Sequence, residues 1–232
     1  MPNLPPDPAL TRLVAAALDN VVFDGWSPAT FDAAVAATGM RSDHARTLAP
    51  RGALDLACAY HRQGDAALRE VLRTADFGGM GFTAKVTFAV RARIAAITDK
   101  EAVRRGTALF ALPQHAADGA KLLWGTADAI WNGVGDTADD YNWYTKRATL
   151  AGVYGASVLY WLGDDSLGAQ ATHDFIDRRI ADVIRIEKLK AQVNGNALLR
   201  PVTAPLLQLL GRIKPPVRMP DIDLPGRWTA PE

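Results

Sequence analysis

The chain has 232 residues, 49% hydrophobic and 22% charged, with a formal net charge of +1. That is globular composition, enough for one large domain or two small ones with a core that needs no staples. Cys58 stands alone, which excludes an intramolecular disulfide and reads as a reducing compartment. No run approaches the ~20 apolar residues that cross a bilayer. The start, MPNLPPDPALTRL, has neither a signal-peptide n-region nor an organellar transit pattern, so a cytosolic or surface-attached protein is expected.

The small net charge hides an asymmetry. Residues 178–218 carry nine Lys or Arg against two acids, net +7, whereas residues 118–140 carry five Asp against Lys121, net −4. A basic end and an acidic middle suit different partners.

In chain order, apolar residues recur at helical spacing. Leu10, Leu13, Val14, Ala17, Leu18 and Val21 predict an amphipathic helix starting near Pro8. GWSP breaks it. Ser27 then caps a second helix with Pro28 in its first turn, and Gly39 ends that helix. Ser42 is expected to cap a short third helix, SDHARTL, stopped by Pro50. Three short helices with a glycine turn have helix-turn-helix spacing. A longer helix follows through Leu54, Leu56, Ala57 and Tyr60. Then come KVTFAVRARIAAI, DKEAVRRGTALFAL, QHAADGAKLLWGTADAIW, DDYNWYTKRATLAGVYGASVLYWL and SLGAQATHDFIDRRIADVIRIEKLKAQV, separated by FGGMG, Pro113, GVGD and GDDS. The expectation is an all-α chain of about ten helices without a strand. Residues 1–50 form a helix-turn-helix-like unit, 51–193 a helical ligand domain, 194–214 a C-terminal amphipathic helix and 215–232 an extended Pro-rich tail.

No catalytic or cofactor constellation emerges. His44, His61, His115 and His173 lack metal-ligand spacing, and HExxH and ExxH are missing. No G-x-S-x-G elbow occurs. FGGMGF lacks the Lys and Ser/Thr of a P-loop. The pairs Asp139–Asp140 and Asp164–Asp165 precede helices, where acids cap and favour the macrodipole. Cys58 reads as buried and inert.

Two regions carry information. Trp143 and Tyr144 are adjacent on one helix, about 100° apart, so both cannot centre one buried stripe. At least one of them lies at the edge of that stripe or outside it, where exposed aromatics are enriched at interfaces. Leu150, Tyr154, Val158 and Trp161 share the Trp143 face. Tyr144 leads a stripe of small residues, Ala148, Ala151 and Gly155. Trp124 and Trp131, seven apart, are either core or the frame of a cavity for an apolar ligand. The second region is RPVTAPLLQLLGRIKPP. Val202, Leu206, Leu209, Leu210 and Ile213 form one face, Leu207 flanks it, and Arg200, Arg212 and Lys214 border it. Such a helix docks on its own domain, on a twin subunit, or on an anionic membrane surface.

The run from ALFALPQH through LLWGTADAIWNGVGD and DDYNWYTKRATLAGVYGASVLYWLGDDS to HDFIDRRI, roughly Thr107 to Ile184, resembles a known family. This is the accessory lipid-binding protein of ubiquinone biosynthesis, the ninth member of the coenzyme Q series. The resemblance implies a fold like the TetR regulators, a homodimer, no cofactor and no enzymatic step. It implies that the protein binds an isoprenoid or quinone lipid and presents it to a ubiquinone-pathway hydroxylase, di-iron or other. On this resemblance the hydroxylase contact falls on Asp140, Asn142, Trp143 and Tyr144. The lipid contact is expected at Trp124, Trp131, Leu150 and Tyr154, on the aromatic faces of the two helices read above. The membrane contact falls on Val202, Leu206, Leu207, Leu209, Leu210, Ile213 and Lys214, and without a transit peptide the implied location is the inner membrane face of a bacterium. The alternative is a TetR-like DNA-binding regulator. Against it, residues 1–50 are net −2, with Arg12, Arg41 and Arg46 outweighed by five Asp.

Overall fold

The computed structural model describes residues 7–195, with side chains described through Arg185. Among these residues the chain forms nine α-helices and one 3-10 turn, with no strand. The helix expected around Val202–Ile213, with Leu206, Leu207, Leu209, Leu210 and Lys214, lies outside the described residues, as does the tail that follows it.

Helix α1 (Pro8–Asp24) starts where the Asp7 carboxylate accepts from the Ala9 and Leu10 amides. Helix α2 (Pro28–Thr38) starts at Ser27, whose hydroxyl accepts from the Thr30 amide, and ends at Gly39 with φ 63°. That left-handed conformation suits a residue without Cβ. Helix α3 (Ser42–Leu48) differs from expectation. Ser42 is its first helical residue rather than its cap; Arg41 takes the cap position without a side-chain hydrogen bond. Within the first turn the Asp43 carboxylate accepts from the His44 amide, so a serine cap is not needed there.

Helix α4 (Ala53–Thr74) is the spine. Its first half closes a core with α1–α3 through Leu13, Val14, Phe31 and Leu56. This cluster reaches past residue 50 to Ala59, and to Ala102 on α6 (Lys100–Ala111). The second half of α4, through Leu68 and Leu72, joins a larger core with α5 (Phe82–Ala95), α7 (Ala116–Gly133), α8 (Asn142–Leu162) and α9 (Gln170–Gly195). Trp26 ties α6 to the smaller core. Its indole N–H donates to the Ala102 carbonyl at 3.0 Å, and its ring lies 5.9 Å from that of Tyr60.

Leucines and alanines at three and four fill both clusters, so the helices are held by burial more than by propensity. Phe31→Ala removes a fully buried ring from the smaller core. It is expected to cost about 3–5 kcal/mol, the range for deleting a buried aromatic, and chemical denaturation checks it.

Candidate functional site

Helices α4, α6, α7 and α8 do not meet completely. Between them lies a partly open cavity of about 680 Å³. Its walls are rich in small residues: Gly64 and Ala57 on α4, Gly106 on α6, Gly119 and Ala120 on α7, Ala151, Gly152 and Gly155 on α8. The stripe Ala151–Gly155 that Tyr144 leads thus faces a void as well as a neighbouring helix. A Cβ on Gly155 would stand 3.3 Å from Leu123, so the glycine lets α7 and α8 approach. A Cβ on Gly152 would meet nothing within 4 Å. The volume falls within the range of small-molecule pockets, and the lining is mostly apolar.

One wall is polar. Asp65 on α4 and Arg93 on α5 form an ion pair at 2.7 Å, with side chains 4% and 3% exposed. Asp65 Oδ1 also accepts from the Thr126 hydroxyl at 2.8 Å. Arg93 Nη2 donates to the His61 carbonyl at 2.8 Å. His61 Nε2 lies 2.9 Å from Thr126 Oγ1. The threonine has one proton and gives it to Asp65, so neutral His61 donates from Nε2. Burial pushes the His61 pKa down to about 4, against the pull of Asp65. Burial likewise raises Tyr154 to about 12, so its phenol stays protonated. The His61 and Tyr154 rings meet edge to face at 6.4 Å, and the Arg93 guanidinium sits 5.6 Å from the Tyr154 centroid. Tyr60 closes the wall, accepting from the Asp99 amide and donating to its carbonyl.

Of the four residues assigned to lipid, Tyr154 lines this cavity and the other three do not. Leu150 packs in the larger core. Trp131 stacks on Phe82 at 5.4 Å. Trp124 joins a different cluster, 5.9 Å from Trp143 and 6.3 Å from Tyr144. Seven-residue spacing put both tryptophans on one helix face, but α8 and α5 cover that face, and the void opens beside it. Sequence reasoning missed the polar wall. Its signal was present: His61, Asp65, Leu68 and Leu72 share one helical face, so a carboxylate interrupts an apolar stripe. Arg93 interrupts Val86, Ala89 and Val90 in the same way.

The second site is the start of α8. Trp143 is 8% exposed and Tyr144 36% exposed, with rings edge to face at 4.7 Å. The pair therefore splits as helical geometry requires, Trp143 inward and Tyr144 outward. The Asp140 carboxylate accepts from both the Asn142 amide and the Asn142 side chain, so these two residues shape the turn into α8. Beneath them Arg147, fully buried, stacks at 4.0 Å on Trp143 and bonds Asp128, Asp136, Asn132 and the Trp143 carbonyl. Burial alone would raise the Asp136 carboxyl; Lys146 and then Arg147 outweigh it and hold the pKa below the usual carboxylate value. Near the C-terminal end of the helix, Asp164 accepts from the Thr172 hydroxyl and amide and the Ser166 amide, which holds it well below the usual range. Cys58 is buried, and desolvation raises its thiol.

The arrangement is a helical shell around an apolar chamber with one polar wall. Its fold is TetR-like: a TetR transcriptional regulator from Nitrosomonas europaea superposes with a TM-score of 0.62 at 15% identity, over 75% of this chain and 97% of that one. In sequence the chain is similar to the COQ9 family, whose model matches residues 116–187. That bears out the resemblance read from Thr107 to Ile184. The rat "Ubiquinone biosynthesis protein COQ9, mitochondrial" is 29% identical over 199 residues, 82% of this chain and 64% of the relative. The bovine protein of that name is 34% identical over 98 residues, 41% of this chain and 31% of the relative. A Xenopus laevis COQ9-B is 28% identical over 206 residues, 82% and 68% of the two chains.

These names correct the expectation of a bacterial cytoplasmic location, because each of the relatives is named mitochondrial. The expectation rested on the start of the chain. The match reaches only 64% of the rat relative's length, so the start of this chain does not decide the compartment.

His61 gives a test of the polar wall. Its folded pKa is depressed from 6.5 to about 4, so the unfolded chain takes up the proton first as pH falls. Its contribution is complete above pH 6.5 and is lost between pH 6.5 and about 4. Melting temperature should fall across that window, and His61→Gln should flatten the slope there.

Proposed function

We propose that the protein is a non-enzymatic lipid-binding component of ubiquinone biosynthesis. It takes an isoprenoid or quinone lipid into the α4–α6–α7–α8 cavity and presents it to a hydroxylase of that pathway. One observation carries the reading: an apolar chamber of about 680 Å³ framed by glycines and alanines, in a chain similar to proteins named for ubiquinone biosynthesis. A well-packed interior leaves few voids larger than a water molecule. A void this large, open at a rim that includes Leu159 at 59% exposure, suits a long hydrocarbon. The small side chains that frame it hold no reactive constellation.

The start of α8 suits the hydroxylase contact. Tyr144 presents an aromatic edge outward, and the Arg147 cluster fixes Trp143 behind it. Exposed aromatics backed by a rigid support are typical anchors of interfaces. Leu159 and Tyr160 on α8 offer an apolar surface for a homodimer. The membrane contact assigned to Val202–Lys214 remains part of the proposal, on the amphipathic pattern of the sequence alone.

A DNA-reading role fits less well. On the short α3, Arg41 pairs with Asp43, and Arg46 faces Asp32 at 3.9 Å while resting on the Phe31 ring at 4.5 Å. Arg51, at the start of α4, is held by Asp55 and Asp118. The cations that would meet phosphates thus already face carboxylates, and strong phosphate binding needs uncompensated positive charge.

Two measurements test the proposal. Gly152→Leu places a side chain where nothing lies within 4 Å, so the melting temperature should hold or rise while uptake of decylubiquinone falls sharply. Undiminished uptake would remove this cavity from the account. Tyr144→Ala should leave the fold intact and weaken hydroxylase binding by tenfold or so, whereas Trp143→Ala should cost about 3 kcal/mol or more of stability. Equal hydroxylase affinity in folded Tyr144→Ala would exclude the surface.

A further inference from the structure

Arg93 is the only ionised side chain in the described lining of the cavity, and its charge is already neutralised inside the protein. Its Nε donates to Asp65 at 2.7 Å and its Nη2 to the His61 carbonyl at 2.8 Å. Its Nη1 has no hydrogen-bond partner among the described residues, although the side chain is 3% exposed. The guanidinium lies flat on Gly64. A Cβ there would stand 2.5 Å from Nη1 and 2.6 Å from Cζ, so only glycine lets the group occupy this place. Tyr154 adds a protonated phenol beside it. The wall therefore offers hydrogen-bond donors without net charge.

We propose that this wall, the Arg93 guanidinium held by Asp65 and Gly64 together with the neighbouring Tyr154, selects lipids with a neutral oxygen-acceptor head and rejects lipids with an anionic head. The proposal rests on the reading of the cavity as a lipid site and specifies its ligand class. A carbonyl or ether oxygen accepts a hydrogen bond from this wall and leaves the ion pair undisturbed. A carboxylate or phosphate must give up its water and then meet Asp65 as a like charge across the shared guanidinium. The other groups at this wall add no compensating cation, since burial keeps His61 neutral at the pH of the test and Thr126 is a hydroxyl. The remainder of the chamber, with Leu123, Val103, Phe110 and Leu159, takes the hydrocarbon.

Methyl palmitate and palmitate share a tail and a carbonyl and differ in charge. Binding of each to the full chain at pH 8, below their aggregation limits, can be read from tryptophan fluorescence, because Trp26 lines the cavity. The ester should bind at least about tenfold more tightly than the acid. In Asp65→Asn the freed guanidinium should shift that ratio toward palmitate by about tenfold or more. Gly64→Ala, which displaces the guanidinium, should weaken the ester without strengthening the acid. Equal or tighter binding of palmitate by the unaltered protein overturns the proposal and leaves lipid binding standing. A folded Asp65→Asn protein with an unchanged ratio also overturns it. Binding of neither probe removes the lipid site itself and the proposal with it. The unaltered protein alone decides the first point, so a variant that fails to fold does not remove the test.

Discussion

The structure depends on one buried carboxylate. Asp65 sits midway along α4, where the apolar stripe of that helix faces inward, and a lone charge there would be prohibitively costly. It is tolerated because Arg93 of α5 and Thr126 of α7 both donate to the same oxygen. Breaking such a pair from one side costs several kcal/mol, so the three helices are bound to one arrangement. In that arrangement α4, α6, α7 and α8 stand too far apart for their alanines and glycines to close the gap. The chamber follows from a polar junction that fixes spacing and from side chains too small to fill what the spacing leaves.

The same logic explains the opposite end of α8. Arg147 is fully buried, yet carboxylates, an amide, a carbonyl and the face of Trp143 surround it. The cluster orders the turn from Asp136 into α8 and leaves Tyr144 outside. A chamber and an outward aromatic edge thus belong to one helix, whose middle lines the first and whose start carries the second. The proposed hand-over of a lipid to another protein would draw on both features from one rigid element.

Much of the fold was legible in the sequence because its signals are local. Ser27 and Gly39 mark helix ends through backbone chemistry, and the three-and-four spacing of Leu13, Val14 and Val21 states which face is buried. That at least one of Trp143 and Tyr144 leaves the buried stripe followed from the helical repeat; that it is Tyr144 came from the packing of α8. The chamber was only half legible. The stripe Ala148–Gly155 announced close helix approach, but whether small residues seal an interface or frame a void depends on a third helix, and α4 and α6 come from elsewhere in the chain. Trp124 and Trp131 misled for that reason: large aromatics on one face suggested a pocket wall, whereas α5 and α8 supply partners that absorb them. The Asp65–Arg93 pair spans 28 residues and two helices, and local pattern shows only that each charge interrupts an apolar stripe.

The central claim is that the chamber among α4, α6, α7 and α8 exists to hold a lipid. Its most direct test is mass spectrometry of the organic extract from the purified full chain, set beside an extract of Gly152→Leu prepared in parallel. The account predicts a neutral isoprenoid or quinone in near-stoichiometric amount with the first and its loss with the second. An extract free of lipid, or one with the same lipid at the same level in both proteins, would contradict it.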